Sequence, residues 1–446
     1  MTGDLTAFLA THGAELTYLR RHLHQHPELG RAERETTALV ARRLEAVGLR
    51  PRLLPSGTGL VCDLGSGDGP TIALRADIDA LPLQDEKDVS YRSAVAGVCH
   101  ACGHDLHTTI LLGAGLALAE HADRLRGRVR LVFQPAEEKV PGGAIDVLAA
   151  GELKDVSAIF ALHCDPKIDV GALGMRVGSI TAASDLMEIR LTGPGGHTAR
   201  PHLTSDLVYA ISRVITDLPG ALSRVVDPRS VLTVSFGCVE SGSVHNAIPT
   251  QAVARGTVRV LDRNVWGEMP KLIERILETT VAPLNCKWDI EYQRGAPPVV
   301  NDEVATSVMA NAARRALSPS AVLTAPQSMG GEDFSWYLEE IPGSMARLGA
   351  RIPGTDLDLH AALFDADERA IPIGVRIMVQ TALDALDHYG AGGRGSEART
   401  EAPANPAPPS ASPPVDQGVR GAQERGLLWH VGSQAEPSGS PPVGRG

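Results

Sequence analysis

The alternation of two kinds of apolar segment limits this chain's fold more than any other feature. Short runs such as "TIALRADID" (71–79), "RVRLVFQ" (128–134) and "SAIFALH" (157–163) have the length and apolar content of buried strands. Between them, "HTTILLGAGLALAEHA" (107–122) and "GGAIDVLAAGEL" (142–153) read as helices, as do "LTYLRRHLHQHPEL" (16–29) and "ETTALVARRLEAVGL" (35–49) before them. Strands that alternate with helices run largely parallel, and a parallel sheet needs helices on both faces. The expected fold class is therefore α/β. Ligands of such sheets sit beyond the carboxyl ends of the strands. Asp77 and Asp79, Glu137 and Glu138, and His163 all fall there, at expected strand ends.

From Ser184 the texture changes. "DLMEIRLTGPGG" alternates like a half-buried strand, "SDLVYAISRVITDL" and "VWGEMPKLIERILETTV" are amphipathic helices, and "SVLTVSFGCVE", "QAVARGTVRVL" and "KWDIEYQRG" are further strands. We expect a main α/β domain in two parts, 1–183 and 295–389, interrupted by a smaller α+β unit at 184–294. Residues 390–446 are rich in Pro, Gly, Ala and Ser and cannot repay the entropy of ordering, so a disordered tail is expected, with "GLLWHV" its one apolar island.

A formal charge of -11 repels phosphate backbones and argues against a nucleic-acid partner. Apolar runs fall short of the roughly 20 residues of a membrane span. "MTGDLTAFLATHG" lacks the marks of a signal peptide, which makes the cytoplasm the expected location. Six cysteines scattered along the chain read as thiols, not as a disulfide framework.

The densest chemistry is "CHACGHD" (99–105). Cys102 and His104 flank a glycine that permits a tight turn, and both residue types bind metals. On its own the pair is equally a buried thiol beside a structural histidine. Glu137 and Glu138 are adjacent carboxylates after an apolar strand, where their repulsion calls for a cation or a proton. His163 and His360 are each, alone, ordinary structural histidines. Taken together, Cys102, His104, Glu138, His163 and His360 could hold two divalent cations about 3.5–4 Å apart. His197 follows two glycines in "GGHT", a loop suited to carry an imidazole toward a developing oxyanion. Asn246 in "HNAIP" reads as a substrate contact or as a turn residue.

The motifs "RRHLHQHPELG", "LRADIDALP", "HACGHDLHTTILLGAG", "VFQPAEE", "ALHCDP", "GPGGHTARPH", "HNAIP", "GTVRVLD", "MGGEDFSWYL" and "LHAALFDADE" occur in this order between residues 10 and 388. In them the chain resembles the M20 metallopeptidases, in the aminoacylase-like amidohydrolase branch that includes hippurate and auxin-conjugate hydrolases. The resemblance implies hydrolysis of N-acyl amino acids or related small amides at a dinuclear site of Zn²⁺, Mn²⁺ or Co²⁺. It implies Cys102, His104, Glu138, His163 and His360 as ligands, with Cys102 bridging, and Glu137 as general base. Asp77, Asp79 and Asp105 would then orient ligand imidazoles from behind. The inserted unit resembles the branch's lid or dimerisation domain, which implies a homodimer with His197 reaching the neighbour's metal centre.

Four positions depart from the usual pattern of the branch: Cys99, Cys164, the "AA" after His360, and "KVPGG" after Glu138. None removes a ligand, but the last two bear on the substrate pocket. Rival readings are a zinc knot at Cys99-x-x-Cys102, a thiol hydrolase using Cys102 and His104, a metal-dependent dipeptidase or carboxypeptidase, and an inactive ligand-binding relative. A knot lacks its second Cys-x-x-Cys, and the acidic pair would disfavour a free thiolate. Retention of Glu137 with the whole ligand set argues against an inactive protein.

Overall fold

The computed structural model describes residues 2–65 and 69–390. In chain order they form α1 (Thr2–Gln25), α2 (Arg34–Glu45), β1 (Arg52–Leu53), β2 (Leu60–Leu64), β3 (Thr71–Asp77), α3 (His104–Ala119), β4 (Arg128–Gln134), α4 (Ala144–Ala149), β5 (Val156–Asp169), β6 (Leu173–Met175) and β7 (Gly178–Thr181). Next come β8 (Asp185–Thr192), β9 (Gly196–His197), α5 (Leu207–Val225), β10 (Leu232–Ser241), β11 (Ala247–Ile248), β12 (Gln251–Val260), α6 (Arg263–Val281) and β13 (Lys287–Gln293). The last are β14 (Val299–Asn301), α7 (Glu303–Ala316), β15 (Val322–Thr324), α8 (Ser335–Glu340), β16 (Gly343–Arg351) and α9 (Ala370–Gly390).

The main sheet has eight strands in the order β1-β2-β4-β3-β5-β16-β6-β15. Its centre is parallel, as the alternation predicts: β4 with β3, β3 with β5, and β5 with β16. Antiparallel pairing enters at β1/β2, β2/β4 and β6/β16. Side chains alternate between the faces. Cys62, Ile72, Leu74, Leu131 and Phe133 meet apolar residues of α1, α3, α7 and α9, while Val61, Ala73, Val132 and Ile159 meet those of α4 and α8. With both faces covered, β3 is buried along its whole length.

The four-stranded antiparallel sheet β10-β12-β8-β13 is built from residues 185–293. Met187, Ile189 and Leu191 of β8 point to one face, where α5 and α6 cover them in a core of their own. Both helices start on an aspartate cap. Asp206 accepts from Tyr209 N, and Asp262 accepts from Asn264 N and Val265 N. Asp185 is buried where the chain enters this sheet, accepting from Trp266 Nε1 (2.9 Å), Tyr292 OH (2.6 Å) and Gly295 N (2.9 Å). One carboxylate thus ties the entry of the segment to its exit.

One expectation needs correction. His163 lies in the middle of β5, not at its end, because β16 pairs alongside from Gly343 to Arg351 and carries the strand on to Asp169. No helix among the described residues is long and apolar enough to cross a membrane. The expectation for the segment after Gly390 lies outside the described residues.

Candidate active site

β3 delivers Asp77 at its last position, and Ile78 N still donates to Gln134 O (3.0 Å), so the chain keeps step with β4 to Asp79. Asp79 is buried, and its carboxylate accepts the backbone N–H groups of Glu137 (3.0 Å) and Glu138 (3.1 Å). His104 Nδ1 lies 3.0 Å from the Asp79 carbonyl oxygen and 3.3 Å from its carboxylate. One residue therefore positions an imidazole and both glutamates. With Nδ1 donating, the Nε2 lone pair of His104 turns inward. Nε2 is buried with no hydrogen-bond partner among the described residues, 3.9 Å from Glu137 Oε2.

Gly103, just before α3, has φ 80°, and a Cβ there would come within 2.3 Å of Cys164 Sγ, so both conformation and space require glycine. The turn sets Cys102 Sγ 3.4 Å from His163 Nε2, while His163 Nδ1 donates to Cys164 O (2.8 Å). His360, itself at φ 59°, donates its backbone N–H to Ala101 O (2.8 Å) and brings Nε2 to 3.1 Å from Glu138 Oε1. Among the groups of possible ligands, two share Cys102: Cys102 with His104 and His163, and Cys102 with Glu138 and His360. Within each, the ligand atoms lie within 4.8 Å of one another, and Cys102 belongs to both.

The electrostatics suit bound cations. Burial opposes a charge on His104, but Asp77 and Asp79 outweigh it and push its pKa up to about 10, so the field favours positive charge at that nitrogen. Burial, then the charges of Glu138 and Glu137, push the Cys102 thiol well up, which leaves it a poor nucleophile unless a cation draws off its proton. Burial raises the Glu137 carboxyl well above the usual carboxylate range, and Glu332 and Glu138 add to the effect. The cavity in front of these groups, ≈ 680 Å³, is walled by Cys102, Glu137, Glu138, His163 and His360, with Leu186 and Arg259 opposite from the four-stranded sheet.

Not every expected residue converges here. Asp77 accepts from His107 Nδ1 (2.7 Å) and Arg75 Nη1 (2.8 Å), and lies 3.7 Å from His104 Nε2. Asp105 turns away from the candidate ligands, binding His24 Nδ1 (2.7 Å) and pairing with Arg20 Nε (2.9 Å), because its place on α3 faces α1. The segments that carry His197 and Asn246 pair as β9 and β11, with Ala247 opposite His197 and Thr198 N donating to Asn246 O (3.3 Å). Both are exposed and neither lines the cavity of its own chain. Three contributors escaped the sequence reading. His107 accepts Cys164 N (2.8 Å), and its three-residue spacing from His104 on one helix face was the available signal. Buried Glu33 accepts Ala136 N (2.7 Å) and steadies the turn before the glutamates, and buried Arg75 binds Asp77, Glu332 and Asp333. No local pattern marks either.

Comparison with known proteins agrees with this geometry. Residues 73–384 match peptidase family M20/M25/M40. A Rhodococcus jostii (strain RHA1) protein named for a glutamate–cysteine ligase is 46% identical over 381 residues, which are 85% of this chain but 48% of that protein, so the chain spans about half its length. The N-acetyl-L-cysteine deacetylase of Bacillus subtilis (strain 168) is 39% identical over 380 residues, covering 85% of this chain and 90% of the deacetylase. The crystal structure of the Bacillus subtilis YXEP protein, described as a dinuclear metal binding peptidase from the M20 family, is similar with a TM-score of 0.75 at 34% identity. That likeness covers 86% of this chain and 99% of the YXEP chain. The chain belongs to peptidase family M20/M25/M40, in its amidohydrolase branch.

Proposed function

We propose that this hydrolase cleaves the amide bond of N-acyl amino acids with two divalent metal ions. The observation that carries the reading is the pair of ligand groups sharing Cys102, with Glu137 on the wall of the same cavity. Cys102, His104 and His163 would hold one ion, and Cys102, Glu138 and His360 the other. Bound there, the ions supply Lewis acidity that polarises the amide carbonyl and acidifies an attacking water. Glu137 takes the water's proton and returns it to the leaving nitrogen, a task suited to a carboxyl held above the usual range. Asp79 holds the His104 imidazole and the two glutamate amides in place for this exchange. His163 is neutral, its Nδ1–H on Cys164 O, so that Nε2 can serve as a ligand.

The substrate class is supported by the N-acetyl-L-cysteine deacetylase relative. The candidates are Zn²⁺, Mn²⁺ and Co²⁺; the thiolate and imidazoles favour Zn²⁺, and the carboxylate also suits Mn²⁺. We further propose a cytoplasmic homodimer that pairs through residues 184–294, with 1–183 and 295–389 as the catalytic body. His197 and Asn246 would then act on the partner's substrate, in line with their absence from the cavity wall of their own chain. Elemental analysis of the purified protein, with a panel of N-acetyl amino acids assayed before and after chelation, tests the reading. Two ions per chain and activity that returns with added metal are expected. Full turnover in verified apo protein would overturn it.

A further inference from the structure

We infer that Cys99 and Lys87 form a redox modification site, at which a hydroperoxide oxidises the Cys99 sulfur and a covalent Sγ–Nζ link then closes behind the candidate metal centre. The two residues meet in a buried cluster with His24 and Asp85. Lys87 Nζ lies 2.8 Å from His24 Nε2, 3.1 Å from Asp85 Oδ1 and 3.9 Å from Cys99 Sγ. Cys99 and His24 are wholly buried, and Lys87 is 5% exposed. Among the described residues no other cysteine has a lysine nitrogen within hydrogen-bonding distance. Beside the cluster, His100 is buried with both ring nitrogens lacking a partner among the described residues, its ring centre 6.3 Å from that of His24. A sulfur nucleophile, an amine and unmet polar atoms that would receive a water-sized polar reagent thus share one place. The cover over them is thin. Residues 82–98 form neither helix nor strand, and every second residue from Gln84 to Ala94 is exposed. Local opening of such a stretch admits a small peroxide while the sheet stays folded.

A hydroperoxide is the sole oxidant needed. The Cys99 sulfur attacks it, an S–O bond forms as the O–O bond breaks, and the products are Cys99 sulfenic acid and an alcohol, or water from hydrogen peroxide. The hydrogen bond between Lys87 Nζ and His24 Nε2 holds one proton, and when His24 keeps it Nζ is a free amine. That amine attacks the sulfenyl sulfur. The N–S bond forms, the S–O bond breaks, and the departing hydroxide takes a proton from the nitrogen and leaves as water. The linked pair has two hydrogens fewer than the reduced pair, and two equivalents of an added thiol restore it. The link also reaches the ligand loop. Cys99, three residues before Cys102, exchanges both backbone hydrogen bonds with Leu81 (3.0 Å each), two residues beyond Asp79. Closing it removes the ammonium charge that faces Asp85 and the contact with His24, which in turn holds Asp105 at the start of α3 (2.7 Å). Oxidation therefore loosens the support under Cys102 and His104.

The test treats the metal-loaded protein with hydrogen peroxide, removes the excess, and maps tryptic peptides by mass spectrometry before and after a thiol reductant. Wild type should give a species that joins residues 76–92 to 93–124 and is two hydrogens lighter than their sum, with fragment ions placing the link at Lys87 and Cys99. Its melting temperature should fall by about 5 °C and recover with the reductant. Cys99→Ala should form no link and keep its melting temperature through the treatment. Lys87→Met should instead carry Cys99 on to the sulfinic acid, which the reductant does not remove. Wild type in which Cys99 stays a thiol, or is oxidised without joining Lys87, would overturn the inference. So would a link that retains an oxygen atom, or a melting temperature that falls equally in Cys99→Ala. These readouts do not depend on which amide the protein cleaves, so their failure leaves the reaction standing.

Discussion

Glu137 and Glu138 are adjacent in sequence, share Asp79 as the acceptor of their backbone N–H groups, and face different neighbours. Glu138 Oε1 lies against His360, while Glu137 Oε2 lies beside His104 Nε2 with its carboxyl held well above the usual range by burial and by Glu332. On the proposed reading, Glu137 is the base and Glu138 a metal ligand. Glu137→Gln keeps the shape but cannot accept a proton, so kcat should fall by about 10²–10⁴ while the metal content stays near wild type. Glu138→Gln should lose metal instead. The reverse outcome, metal lost from Glu137→Gln and kept by Glu138→Gln, would exchange the two roles.

At the scale of elements, the turn into α3 is anchored from behind by α1. Asp105 at the start of α3 binds His24 and Arg20, and Asp85 and Lys87 close the cluster on the other side of His24 at 3.2 and 2.8 Å. Burial, and the Lys87 ammonium beside Nε2, oppose a charge on His24, but Asp105 and then Asp85 outweigh them and hold the folded pKa at about 10, against 6.5 for a free histidine. A folded pKa above the unfolded one stabilises fully below pH 6.5 and is lost as pH rises toward 10. The metal-loaded protein should therefore melt at progressively lower temperature between pH 7 and 10. His24→Gln should melt about 5 °C or more lower at pH 7 and show a shallower slope. Equal slopes in both proteins would show that this clamp is not the source of the pH dependence.

For the whole molecule, the placement of His197 is the decisive feature, because it is exposed and outside its own cavity. Among the described residues β10 is an edge strand of the four-stranded sheet with one side of its ladder unpaired, and Val231, Val239 and Val244 are exposed on or beside it. A two-fold pair through this unit would give each site one borrowed imidazole. Mixing two inactive variants, His197→Ala and Glu137→Gln, under subunit exchange should restore activity, since one site of each mixed dimer keeps both residues. Mixed dimers that form yet stay as inactive as either parent would remove His197 from the partner's site.

What the sequence determined by itself was local. Strand and helix periods are set by residues a few positions apart, so the α/β alternation and the acidic pair after β4 were legible, as was Asp77 at the end of β3. The tertiary structure decided what distant segments do to one another. β16 meets β5 across more than 170 residues, which puts His163 in mid-strand and Arg347 beside it. His360 reaches Glu138 because its backbone is tied to Ala101. Asp105 faces α1 instead of the candidate ligands, and Glu33 stands under the turn at Ala136. Spacing along a chain tells which side chains share a face of one element, but which faces then meet depends on burial summed over the whole core.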